Sequence, residues 1–259
     1  MKILVCVKQV PESDVPIHFN DDGTWIQADS FSEYKMNRLD EYAVEEAVGL
    51  KEVFSDTTID VISVGPDRSA DVIIRAIGMG ADHGIHLKTE INGYLSPSFI
   101  AAWIAEYACK KNYALILTGA VSEDHMNAQV GPRIAAHLDM PCATGVIFKK
   151  LLSDNHTLYV EREIEGGNRD MLELKTPVVL TIQSGTNTPR YPSLSNLLRA
   201  NKQELEIIDT RKLTQPETVE TIFQVAYPVK SRAAEVLTGS PQEKATKLLQ
   251  ILREKAFIE

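Results

Sequence analysis

Asp124, His125 and Asn127 stand in a polar loop between two stretches of opposite character. Ahead of them, Ala114–Leu117 is an apolar run that reads as a buried strand and stops at Thr118-Gly119. Behind them, Ala128–Leu138 has the period of a helix. Strand, glycine turn, polar loop and helix form the arrangement that holds an anionic ligand at the carboxyl edge of a parallel sheet. The first-turn N–H groups have no intrahelical acceptor, and they carry the positive end of the helix dipole. The stretch Tyr113–Gly131 is therefore predicted to hold a nucleotide. Each residue also has a plainer use. Asp124 is a ligand-binding carboxylate or a helix cap, and capping is the commoner role for Asp before a helix. His125 is a base or a solvated loop residue. Gln129–Gly131 offer N–H groups to a phosphate or make an ordinary first turn. Cys6 is most simply packing, Asn37 a cap, and Glu161, Arg162 and Glu163 alternating charges on an exposed strand.

Other chemistry is not supported. The chain lacks the P-loop pattern, the nucleophile elbow, the zinc-protease helix and a glycine fingerprint after its first strand. Cysteines at 6, 109 and 142 form no C-x-x-C pair, so an iron–sulfur cluster or structural zinc is not expected, and their scatter suits a reducing cytoplasm. A formal charge of −9 argues against general nucleic-acid or anionic-membrane binding. Any anion must be held by local backbone dipoles. No apolar run approaches the roughly 20 residues of a membrane span.

These residues need a scaffold, and 259 residues suffice for one with a full core. Apolar runs Lys2–Val7, Thr58–Val64, His83–Leu87 and Ala114–Leu117 read as strands. They alternate with helical periods over Glu41–Val53, Asp67–Met79, Pro97–Lys110 and Ala128–Leu138. Asn37 is the expected N-cap of the first helix, with Asp40 reaching back as in a capping box; Glu41, Glu45 and Glu46 face water. Between the first strand and this helix, Ile17–Phe19 and Thr24–Ile26 are short extended pieces around an Asp21-Asp22-Gly23 turn, and Tyr34–Leu39 leads into the helix. The alternation predicts an α/β fold with a parallel, doubly wound, Rossmann-like sheet. After Pro141 the chain turns β-rich: Thr144–Leu151, Thr157–Arg162, Met171–Leu174 and Pro177–Ile182. A loop, Ser184–Pro192, and a short helix near Ser195–Ala200 follow. Asn201–Tyr227 is mixed and polar, Val225–Ser240 an extended arm, and Pro241–Lys255 a terminal helix.

Several motifs, in order, resemble the electron transfer flavoprotein beta subunit. They are Cys6-Val-Lys-Gln-Val-Pro-Glu12, Met36 to Ala47, Ser63-Val-Gly-Pro66, Ala76 to Asp82, Leu117-Thr-Gly119 with Asp124 and Gln129-Val-Gly131, Val160 to Gly167, and Pro189-Arg-Tyr-Pro-Ser-Leu194. The resemblance implies a nucleotide-binding α/β domain over residues 1–200, and over 201–259 a linker and C-terminal arm that docks on an alpha subunit. It implies a heterodimer that takes electrons from flavin-containing dehydrogenases through an FAD held mainly by alpha. The acceptor would be a quinone oxidoreductase or another carrier. AMP is expected in this chain, lined by Cys6, Asn37, Val64, Gly119, Asp124, Asn127, Ala128, Gln129 and Val130. Glu163 would face the FAD, and Pro189, Arg190, Tyr191 and Leu194 would recognise the dehydrogenase. Some family members bind a second FAD in place of AMP and split electron pairs. His125 and Met126 depart from the Asp-Gly-Asp of those members, and the His side chain is expected to obstruct a second flavin. A nucleotide-sensing regulator on the same fold is the reading from another class.

Overall fold

The computed structural model describes residues 1–12, 18–20, 23–25, 33–91, 93–154, 156–217, 220, 222–227, 236–255 and 257–258. The chain forms two units, Met1–Gln224 and Val225–Glu259. The first holds β1 (Lys2–Cys6), β2 (Gln9–Pro11), β3 (Tyr34–Met36), α1 (Arg38–Val53), β4 (Thr58–Gly65), α2 (Ala70–Met79), β5 (His83–Lys88) and α3 (Pro97–Ala108). It continues through β6 (Leu115–Gly119), α4 (Val130–Leu138), β7 (Cys142–Leu151), β8 (Thr157–Glu163), β9 (Arg169–Lys175), β10 (Val178–Ile182), α5 (Leu194–Ala200) and β11 (Glu206–Asp209). The second unit contains α6 (Pro241–Glu254), opened by a capping box between Ser240 and Glu243.

Nine strands make one sheet in the order β11-β5-β4-β1-β6-β10-β7-β8-β9. From β11 to β7 all pairs are parallel, and β7-β8-β9 close as an antiparallel ribbon. The predicted α/β class, parallel core and β-rich later section are all present. Central strands are apolar on both faces because helices cover both. Ile3 and Val5 pack with Val44 and Ile73 of α1 and α2. Leu4 packs with Trp103, Ile104 and Ile134 of α3 and α4.

The chain steps outward from β1 to β4 and β5, then returns to lay β6 on the other side of β1. The carboxyl ends of β1 and β6 are therefore the switch point of the sheet, where such folds open a crevice.

Several expectations are corrected. Tyr34–Met36 is a strand, paired antiparallel with Gln9–Pro11, and the helix begins at Arg38, directly after Asn37 and ahead of the expected Glu41. α3 ends at Ala108, capped by Cys109, and leaves Lys110 beyond its last turn. α4 starts at Val130, because Ala128 is left-handed, φ 54°. Glu206–Asp209, within the stretch read as mixed and polar, is a strand at the sheet edge beside β5. Glu41, Glu45 and Glu46 do not simply face water. They pair with Arg75, Arg190 and Lys149, so α1's outer face is tied to α2, to the loop after β10 and to β7. Of the short pieces expected around the first turn, Ile17, Asp21, Asp22 and Ile26 lie outside the described residues, as do residues 228–235 of the expected arm.

Candidate functional site

The switch point holds a cavity. Its wall includes Cys6, Asn37, Val64, Gly119, Asn127, Ala128, Gln129 and Val130. These are the expected nucleotide residues with one exception, Asp124, which lines the neighbouring cavity instead.

The frame is built on Asp40. Its Oδ2 accepts from the Lys8 N–H at 2.7 Å, and its Oδ1 from the Gly119 N–H at 3.0 Å and from Asn37 Nδ2 at 3.0 Å. One buried carboxylate thus ties the chain just beyond β1 to the end of β6. Asn37 is not the side-chain cap that its spacing to Asp40 suggests. Its Nδ2 also donates to the Val121 carbonyl at 3.0 Å, and its Oδ1 accepts from the Glu123 N–H at 3.0 Å. The Asn-x-x-Asp pattern clamps the loop after β6. The signal was in the sequence, but a local cap and a tertiary clamp share the same spacing. Gly119 is needed for this approach: a Cβ there would stand 2.4 Å from Asp40 Oδ1 and 2.9 Å from the Leu39 carbonyl carbon. Gly119→Ala is expected to cost about 1–3 kcal/mol by overpacking, read as a lower denaturation midpoint at unchanged m-value.

Past the clamp the loop is irregular. Met126 and Ala128 are left-handed, φ 53° and 54°, a costly conformation for residues with a Cβ. Ala128 left-handed and Gln129 right-handed, φ −98° and ψ −29°, form the alternation that makes successive N–H groups converge into an anion-binding concavity. The first turn of α4 continues it. Gly131 lets α4 approach the sheet, since a Cβ there would meet Thr181 Cγ2 at 2.5 Å. Apolar Pro97, Ile100 and Ile104 close the opposite side. An apolar slot beside a concavity of N–H groups suits an adenine and a phosphate.

Asp124 neither caps α4 nor lines this cavity. Both its oxygens accept from Lys8 Nζ, at 2.7 and 2.6 Å. Burial alone would push its carboxyl up, but the Lys8 ammonium outweighs that and holds it below the usual carboxylate range. His125 is largely buried, and that burial, with Lys8 nearby, drops its imidazole to about 4. It is neutral near pH 7 and is not the solvated residue of the plainer reading. Cys6 is buried, and burial followed by Asp40 raises its thiol, so it serves as packing.

The other expected sites lie elsewhere. Glu163 ends β8 opposite Arg169 and lines an open groove with Phe148 and Gly185. Leu194 opens α5 and is 74% exposed, beside Tyr191 at 83%. Arg190 is spent inward: its guanidinium binds Glu45 and Glu52 at 2.7–2.8 Å. Pro189 is half-buried beside it. Asn187 Nδ2 donates to the Tyr42 carbonyl and to Glu46, so the loop is fastened to α1 at two points.

Residues 24–213 match the family model described as the electron transfer flavoprotein domain. The chain is 34% identical over 257 residues to the electron transfer flavoprotein subunit beta of Bos taurus, covering 98% of each. With the protein of the same name from Bacillus subtilis it shares 34% over 238 residues, 89% of this chain and 90% of that one. With that of Methylophilus methylotrophus it shares 29% over 263 residues, 98% of each.

Proposed function

The chain belongs to the electron transfer flavoprotein family, as a beta subunit, and from that premise we propose that it pairs with an alpha subunit to carry electrons from flavin-containing dehydrogenases to a quinone-linked or other downstream acceptor. It is an electron-carrier subunit, not a self-contained catalyst. The redox FAD belongs mainly to alpha, and this chain holds AMP in a structural role. The observation that carries the AMP reading is the cavity at the switch point. It joins an apolar slot to converging backbone N–H groups, and its one lysine, Lys8, is committed to Asp124. A mononucleotide phosphate is thus held by backbone dipoles, which needs no positive field in a chain of charge −9.

FAD supplies the electron chemistry when bound, and the protein orients it and tunes it. On this chain the open groove at Glu163 offers the wall, and a carboxylate there disfavours negative charge on the flavin ring. Leu194 and Tyr191 form the dehydrogenase contact. Val225–Glu259 is the arm that docks on alpha. Three free cysteines suit a reducing cytoplasm. Among the described residues no helix is long and apolar enough to cross a membrane.

Nucleotide release tests this. The heterodimer, co-expressed with its alpha partner and denatured, should yield one FAD and one AMP. Two FAD and no AMP would replace this reading with the electron-splitting form. One FAD and no further adenine nucleotide would remove nucleotide binding from this chain.

A further inference from the structure

A second cavity adjoins the first. Both are lined by Lys8, Val64, Ile100 and His125. The Lys8 ammonium spans the boundary. It reaches Ser122 Oγ, on the inner cavity, at 3.5 Å, and it binds Asp124, on the outer one, at 2.6 Å. Beside this bridge stands the His125 ring. Trp25 meets it edge-on at 5.0 Å, Tyr94 tilts against it at 5.3 Å, and Trp25 and Tyr94 touch each other at 5.2 Å. The three rings come from three separate loops, and each loop is anchored locally. The backbone N–H of Trp25 donates to Asn20 Oδ1 at 2.8 Å, and the backbone N–H of His125 donates to Asp124 Oδ1 at 2.9 Å. Tyr94 hydrogen-bonds Glu220, whose Oε1 also accepts from the α3 cap Ser96 at 2.5 Å.

We infer that the Trp25–Tyr94–His125 cluster and the Lys8–Asp124 bridge form a partition that restricts this chain to a mononucleotide. The inference rests on the AMP reading of the inner cavity. A dinucleotide such as FAD carries a second nucleotide-sized half, and the way from the inner cavity into the outer one runs past His125 and the ammonium. The neutral imidazole packs edge-on against Trp25 and tilted against Tyr94, without a charge to hydrate. Lowering that wall would join the inner cavity to the outer one.

The test compares the parent heterodimer with His125→Gly and Trp25→Ala, each co-expressed with alpha and purified in excess FAD. FAD and AMP per heterodimer are counted after denaturation. The parent should hold one of each. The variants should move toward two FAD, with AMP falling by half or more, and the added flavin should appear as increased absorbance near the yellow band. His125→Phe, which keeps the bulk, should keep AMP. If both small variants retain the alpha-bound FAD and a parent-like AMP content, the partition does not set the ligand's length and the inference fails. If a variant does not fold, the ratio of FAD to AMP affinity in the other decides, and an unchanged ratio overturns the idea. A parent that itself carries two FAD overturns the inference while leaving a nucleotide site in this chain. A parent without any second adenine nucleotide overturns the underlying reading as well.

Discussion

Asp40→Ala is expected to lower stability by on the order of 4 kcal/mol and to strip AMP from the heterodimer. Three donors, Lys8 N–H, Gly119 N–H and Asn37 Nδ2, lose their acceptor at once in a buried place. For a chain of this size that corresponds to a fall of roughly 10 °C in melting temperature. Calorimetry beside nucleotide release would read both effects, and a variant that melts like the parent would show that the switch point is held by something else. Asp40→Asn separates charge from hydrogen bonding. Burial pushes the Asp40 carboxyl up from 3.8 to about 7, against the bonds from Asn37, Lys8 and Gly119 that favour the anion. A pKa raised on folding gives stability that is whole below the unfolded value and is lost as pH rises through the folded one. The loss therefore runs from about pH 4 to beyond pH 7 and amounts to on the order of 4 kcal/mol. The amide puts an N–H against a donor and starts less stable than the parent, but it does not titrate. The gap between parent and Asp40→Asn should narrow from pH 5 to pH 8. A gap constant over that range would mean that the carboxylate is already ionised at pH 5.

Leu194→Ala should slow reduction by the partner dehydrogenase tenfold or more, with FAD and AMP content and melting temperature unchanged. The side chain is exposed, so its loss opens no cavity. A central apolar anchor in a small docking contact is worth about 1–2 kcal/mol, and about 1.4 kcal/mol is tenfold. What gives one leucine that weight is its platform. Ser193 caps α5 by accepting from the Asn196 N–H at 3.2 Å, Arg190 pins the loop to α1, and Tyr191 lies over the Arg75 guanidinium at 4.9 Å. A pre-ordered anchor loses little entropy on docking. Stopped-flow reduction kinetics at several dehydrogenase concentrations would measure it. Loss of FAD alongside the rate would make Leu194 a folding residue.

The sheet core and its helices were legible because long apolar runs and helical periods are dictated by burial on both faces. β2, β3 and β11 were not. Each is three or four residues long, and β2 contains Pro11 while β11 carries Glu206 and Asp209. Pairing with a distant partner, not local pattern, makes them strands. The loop between β6 and α4 was legible as a loop, and most of the expected site residues do share one cavity. Its fastenings were hidden by sequence distance. Arg190 meets Glu45, Lys8 meets Asp124, and Trp25, Tyr94 and His125 meet one another, all across contacts that no local period encodes.

The place of β10 between β6 and β7 has a consequence for how the chain is made. β6 is complete by Gly119, but one of its two neighbours, Val178–Ile182, is synthesised about sixty residues later. A nascent chain that ends before Val178 leaves β6 with a bare hydrogen-bonding edge of Leu, Ile and Leu, the kind of edge that recruits other chains. Folding of the first half therefore waits on the second. Closure of so distant a pairing is intrinsically slow, and the window before it is where truncated or stalled products will aggregate.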